Sequence, residues 1–200
     1  MYAAGTRTCC ESFATQRYII RWMASGMSMC GRCMVSRAEH RCGVDEWNDL
    51  RVIQCQRASV VTALIKLAAS EDFKDRADVG RALASFAEAT GSRQTLMELV
   101  LDVNDTFVTL TTVEALLRRQ DLAGLRIVAE ALFSADFQHR TSIHQAVTAV
   151  FMEFAVERDR AVEACDALLV DASTPVCEGA VELREMLAQI DPLLYPQKPA

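Results

Sequence analysis

Two hundred residues, 51% hydrophobic and 24% charged with a net charge of −6, fit one soluble globular domain with a single core, or a small domain with an appended segment. No apolar run approaches the roughly 18 residues that a membrane helix needs. The stretch "RYIIRWMASGM" is too short, and too interrupted by Arg17 and Arg21, for a secretory core, so the expected location is the cytoplasm, where structural disulfides are rare.

The chain opens on a segment unlike the rest. Residues 1–59 hold eight Arg, no Lys and five acids, a net of +3, together with six of the eight cysteines and both tryptophans. Residues 60–200 carry thirteen basic and twenty-two acidic residues, a net of −9. Such asymmetry marks a boundary. Within the first part, Cys30, Cys33, His40 and Cys42 form C-x2-C-x6-H-x-C, the one cluster with four residues able to ligate zinc. A Cys-x-x-Cys turn can give two thiolates to one ion, but His40 and Cys42, one residue apart, reach the same tetrahedron only from extended backbone. A redox reading of "CGRC" needs a strand before it and a helix after it, and neither pattern is present. Arg without Lys, frequent Cys, Gly, Ala and Ser, and no periodicity are what GC-rich sequence upstream of a true start would yield, with Val44 as an alternative initiator. Residues 1–43 are therefore expected to be an extension of weak or no structure. An ordered structural extension and a metal site are the alternatives.

From Val60 onward the apolar residues fall at helical spacing and no strand pattern competes. Val79, Ala82, Leu83, Phe86 and Ala87 form one stripe, and Leu125, Val128, Ala129, Leu132 and Phe133 a second. Ile143, Ala146, Val147, Val150, Phe151 and Phe154 form a third. Val176, Ala180, Leu183, Leu187 and Ile190 form the last, behind Thr174 as N-cap and Pro175 as first helical residue. Asp105 and Asp121 are further N-cap candidates, and Gly91 is a candidate for the residue that ends a helix. Seven or eight helices joined by short loops are expected over residues 45–190, with antiparallel neighbours.

An apolar helix end followed by aspartate recurs at Asp102, Asp136 and Asp171, at intervals of 34 and 35 residues, with a fainter copy at Asp72. That period fits a helix pair. Aligning "DVNDTFVTLTTVEAL" with "DASTPVCEGAVELR" matches Val108 with Val176, Thr112 with Ala180, Val113 with Val181 and Ala115 with Leu183. A loop aspartate, a valine five or six residues on, then small residues and a leucine resemble the HEAT repeat, whose turn reads D-P-x-x-x-V-R before an A-A-x-A-L helix. Here the proline is missing and Thr109 or Cys177 stands where that pattern has arginine. The segment "NDTFVTLTTVEALLRRQDLAGLRIVAEAL" looks most like degenerate HEAT-like proteins of high-GC actinobacteria. The resemblance implies an all-α, right-handed stack of antiparallel helical hairpins over residues 44–190, an α-solenoid, followed by a tail at 191–200. It implies a binding surface and supplies no catalytic residues.

Little chemistry is written elsewhere. Cys165 and Cys177 lie on apolar stripes as core thiols. His139 and His144, five apart, share no helix face and read as surface or capping residues. Glu71 with Asp72, and Glu157 with Asp159, read as solvated charge. Thr106, Thr109, Thr111 and Thr112 crowd one helix, which hydroxyls bonded back to the preceding turn would explain, with a polar binding face as the alternative. There is no phosphate loop, GxSxG or HExxH, and the acidic body disfavours nucleic acid. The sequence thus predicts a non-enzymatic adaptor or scaffold, in a specific version an immunity or antitoxin-like inhibitor, with no catalytic residue, metal or cofactor. Its partner would be a protein with a basic or neutral surface, met by Arg118, Arg119 and Gln120 and by the turns at Asp102, Asp105, Asp136 and Asp171. The alternatives are a HEAT-like glycosylase or chromophore lyase, marked by a groove with an aromatic and a perturbed carboxylate, or a zinc-binding module on a helical body.

Overall fold

The computed structural model describes residues 42–89, 91–170 and 173–195. These residues are all-helical, with eight helices in chain order: α1 Cys42–Leu67, α2 Phe73–Ala84, α3 Ser92–Val100, α4 Thr106–Arg118, α5 Leu122–Ser134, α6 Phe137–Phe151, α7 Ala155–Leu168 and α8 Thr174–Ala188. The chain divides into two units, residues 1–49 and 50–200. In the first unit the described residues, 42–49, form the opening turns of α1. The second unit holds the rest of α1 and the seven helices after it. Of the alternative zinc site, Cys30, Cys33 and His40 lie outside the described residues, and of Cys42 only its helical backbone is described.

Helix starts follow from local chemistry. Asp72, Asp105, Asp121 and Asp136 each stand in extended backbone before a helix, and each carboxylate accepts a hydrogen bond from an orphan amide of the first turn: Lys74, Phe107, Gly124 and His139 respectively, at 2.8–2.9 Å. The two expected caps, Asp105 and Asp121, are among them. The last helix starts one residue earlier than expected, with Ser173 as its cap and Thr174 as its first residue. Gly91 adopts a left-handed φ of 88° directly before α3, the backbone a helix-ending glycine would have, used here to open the next helix.

Apolar stripes then decide packing. Val79 and Leu83 of α2, Leu96 of α3, Val113 and Leu116 of α4, Val128 and Leu132 of α5, Ile143 and Val147 of α6, and Leu183 and Leu187 of α8 belong to one buried core. A fully buried side chain of this kind is worth about 1.5–3 kcal/mol over its exposed state. Helix α1 joins that core near its end, through Val61 and the partly buried Leu64 and Ile65, whereas Gln54 to Val60 are exposed.

Polar contacts fix the directions of three helices. Arg76, early in α2, bonds to Asp102 just before α4, and Arg119, just after α4, donates to the Ala84 carbonyl at the end of α2. Helices α2 and α4 therefore run side by side in the same direction. Near the start of α6, His139 reaches the Asp102 carbonyl, so α6 begins beside α4, against which it packs. Helix α5 returns from α4 through Gln120, whose φ of 52° makes the tight reversal. A close helix approach lies elsewhere: Gly179 of α8 faces α5 so tightly that a Cβ there would stand 1.7 Å from the Ala129 carbonyl oxygen. Helix α8, rather than α7, is the main neighbour of α5.

The end of the described chain folds back. Leu193 and Leu194 donate to the Met152 and Glu153 carbonyls, and the Leu194 carbonyl accepts from Ala155, each at 2.9 Å. The result is a single parallel bridge between Phe154 and Leu194.

Candidate functional site

A groove of about 1010 Å³ opens between the end of α1, the turn into α2, and α3. Its wall has an apolar part, with Ile65, Ala68, Met97 and Leu101 partly buried against the core. It also carries three glutamates, Glu71, Glu98 and Glu130. Glu98 accepts from Gln94 at 2.8 Å, and Glu130 accepts from Arg93 Nε at 2.9 Å. Among the described residues that line it, none is aromatic.

At the base of the groove Arg76 and Asp102 form a buried ion pair. The guanidinium also donates to the Ser70 and Glu71 carbonyls, both at 3.0 Å, which ties the turn after α1 to the loop before α4. Asp102 Oδ1 accepts the Asn104 and Asp105 amides as well, each at 2.9 Å. Burial pushes the Asp102 carboxyl up, but the Arg76 hydrogen bonds and the two amides outweigh it and hold the group below its ordinary range. Arg76 is raised in turn, foremost by its bond to Asp102. A carboxylate with its acceptor sites so occupied is a weak base and a clasp for the fold.

The loop that carries Asp102 continues onto an exposed apolar edge. Phe73 and Phe107 stand in the first turns of α2 and α4 and meet edge to face, with ring centroids 6.0 Å apart. Val103, in the loop before α4, and Phe137, the first residue of α6, are each 87% exposed. His139 holds α6 to this edge: Nδ1 lies 2.7 Å from Asp136 Oδ1 and Nε2 lies 3.1 Å from the Asp102 carbonyl. These phenylalanines are absent from the expected contact residues. Their signal was local, an aromatic one or two residues after a capping aspartate, where the first turn turns its side chains outward.

The expected contact residues are partly brought together. Asp105 and Asp136 share this apolar edge. Asp102 is buried and spent on Arg76, so it cannot serve as a contact residue. Asp171 lies outside the described residues. Arg118, Arg119 and Gln120 sit at the other end of α4, whose 13 residues span about 20 Å, and so belong to a different edge. Arg119 is itself a clasp, bonded to Glu88, Asp121 and the Ala84 carbonyl. Its bond to Asp121, foremost, raises it. Burial pushes the Asp121 carboxyl up, but the Arg119 bond and charge and the Gly124 and Ala123 amides together outweigh it and hold the group below its ordinary range. Thr109 and Thr112 are buried, and their hydroxyls do not bond back to the preceding turn as expected. Cys165 is a core thiol as expected, and Cys177 is half-buried with its Sγ 3.6 Å from the Leu169 carbonyl.

Among the described residues no three or more His, Cys, Asp or Glu gather in a geometry that could hold a metal, and no helix is long and apolar enough to cross a membrane. No protein-family model, curated protein or solved structure matches the chain.

Proposed function

We propose that this protein is a protein-interaction module, an adaptor or inhibitor, that docks a partner on the edge where α2, α4 and α6 begin. The observation that carries this reading is the set of exposed apolar side chains, the Phe73–Phe107 pair with Val103 and Phe137, that accompany the acidic caps Asp72, Asp105 and Asp136 where α2, α4 and α6 begin. Aromatic anchors with a polar rim are the usual anatomy of a protein interface. Side-by-side α2, α4 and α6 support the HEAT-like, stacked-hairpin version of the scaffold, while the close approach of α8 to α5 departs from a regular stack. The enzyme alternative would want an aromatic and a carboxylate of raised pKa in the groove. The groove offers a carboxylate of lowered pKa and, among its described residues, no aromatic, which favours binding.

The test is photocrosslinking in the producing cells, with a benzophenone amino acid at Phe107 or Phe137, followed by rebuilding of the complex from purified components. A defined protein adduct whose rebuilt complex weakens at least about tenfold in Phe107→Ala/Phe137→Ala, as anchor loss would give, supports the reading. Absence of any protein adduct at both positions would remove it.

A further inference from the structure

Resting on that protein-interaction reading, we infer that the groove between α1 and α3 receives a basic amphipathic helix of the partner. Two properties of the wall select this occupant. Ile65, Ala68, Met97 and Leu101 supply an apolar strip, and apolar strips in open grooves are filled by the i, i+3, i+4, i+7 face of a helix. The charge beside that strip has one sign. Glu71 and Glu98 are exposed, while Arg76, the one cation among the described residues of the wall, is buried and neutralised by Asp102. Glu130 shares its charge with Arg93, which leaves Glu71 and Glu98 as the uncompensated pair.

A helix with lysine or arginine on both sides of a leucine-type stripe places its cations against those carboxylates and its stripe on the floor. An acidic helix, a phosphate or a nucleic acid would meet like charge. The net charge of −9 over residues 60–200 adds long-range attraction for the same class of partner. The groove is open and, at about 1010 Å³, lies at the upper end of the range usual for small-molecule pockets, about 300–1,000 Å³. That shape suits a helix face better than an enclosed small molecule.

The experiment titrates the full-length chain into a fluorescein-labelled synthetic helix of about four turns, with leucines at i, i+3, i+4 and i+7 and lysines flanking them. Two controls use the same composition scrambled, and glutamates in place of the lysines. The basic amphipathic helix should bind at least about tenfold more tightly than either control, a difference of about 1.4 kcal/mol. Glu71→Lys/Glu98→Lys should abolish that preference and transfer it to the glutamate helix, with the melting curve unchanged because both sites are exposed. Met97→Lys should weaken binding by a similar factor. Equal binding of the scrambled peptide would mean bare charge attraction and overturn the proposal, as would binding indifferent to all three substitutions. If the helix fails to bind while crosslinks at Phe107 or Phe137 still capture a protein, the groove assignment falls alone. If both fail, the interaction reading falls with it.

Discussion

Arg76 and Asp102, 26 residues apart in sequence, form a two-point ion pair in which Nε donates to Oδ2 at 2.7 Å and Nη2 to Oδ1 at 3.3 Å. Both side chains are more than nine-tenths buried, so each depends on the other. Because Arg76 also holds the Ser70 and Glu71 carbonyls, the pair sets the shape of the groove as well as the stability of the fold.

Removing one partner strands a buried charge. Asp102→Ala should cost about 3–5 kcal/mol at neutral pH, whereas Arg76→Met/Asp102→Leu, which removes both charges, should recover most of that loss. Urea unfolding of the parent and both variants checks this.

The same pair predicts an acid dependence. Asp102 titrates lower folded than unfolded, where a carboxyl has its ordinary value near about 3.9, so the unfolded chain binds the extra proton between the two values. Its contribution is full above the unfolded value and is lost as pH falls through the folded one. The penalty of Asp102→Ala should therefore shrink below about pH 4, measured as the gap between variant and parent urea midpoints at neutral and acid pH. A gap that widens on acidification would contradict the assignment.

Gly179 makes the contact between α5 and α8 a backbone contact. In Gly179→Ala the added carbon would meet the Ala129 carbonyl oxygen at 1.7 Å and its carbon at 2.5 Å, so the helices must separate. Overpacking of this kind costs about 1–3 kcal/mol or more, a fall in melting temperature of roughly 2–10 °C for a chain of this size. The three atoms nearest a Cβ at Gly80 belong to the Thr112 side chain, its hydroxyl oxygen at 2.0 Å and its Cβ at 3.0 Å, so Thr112→Ala, which keeps only that Cβ, should relieve most of the clash in Gly80→Ala. No second-site truncation can relieve Gly179→Ala, because the obstacle is backbone.

How far these features could be read in advance depends on the range of the interaction. Asp105 and Asp121 were legible as caps because a cap bonds its own helix. The apolar stripes were legible because core burial repeats with the helix, but the pattern overran helix ends: Phe154 continues the stripe of α6 and yet lies past its end, exposed, as the residue before α7. Arg76 resembles any solvated helix arginine until Asp102 is placed against it. The groove combines residues from α1, α2, α3 and α5 with loop residues and has no contiguous motif. One long-range contact did leave a local trace, since Gly179 in the middle of "PVCEGAVEL" has low helix propensity and marks a close approach.

Thr109 is fully buried on α4 with its hydroxyl lacking a hydrogen-bond partner among the described residues. A buried hydroxyl left unmatched costs about 1–3 kcal/mol, and valine keeps its shape without that penalty. Thr109→Val should raise stability by roughly 1 kcal/mol, seen as a higher urea midpoint with unchanged slope. A loss of stability would show that the hydroxyl has a partner in solution.

Cys165 lies wholly inside the core on α7, and burial, helped by the nearby Asp166 charge, pushes its thiol up to about 12. The thiolate is the reacting species, so at about pH 8 almost none of this group is available even to a reagent that reaches it. Cys55, exposed on α1, has no such steric protection. Brief treatment of the native chain with iodoacetamide, followed by peptide mass mapping, should label Cys55 and spare Cys165. The same treatment in concentrated urea should label both. Because labelling of Cys165 then reports opening of the core, its rate should rise in Gly179→Ala, which loosens the helix that packs against α7, and should stay low in Glu71→Lys/Glu98→Lys, which alters only the groove rim. Rapid labelling of Cys165 in the native parent chain would mean that α7 does not stay packed on α8.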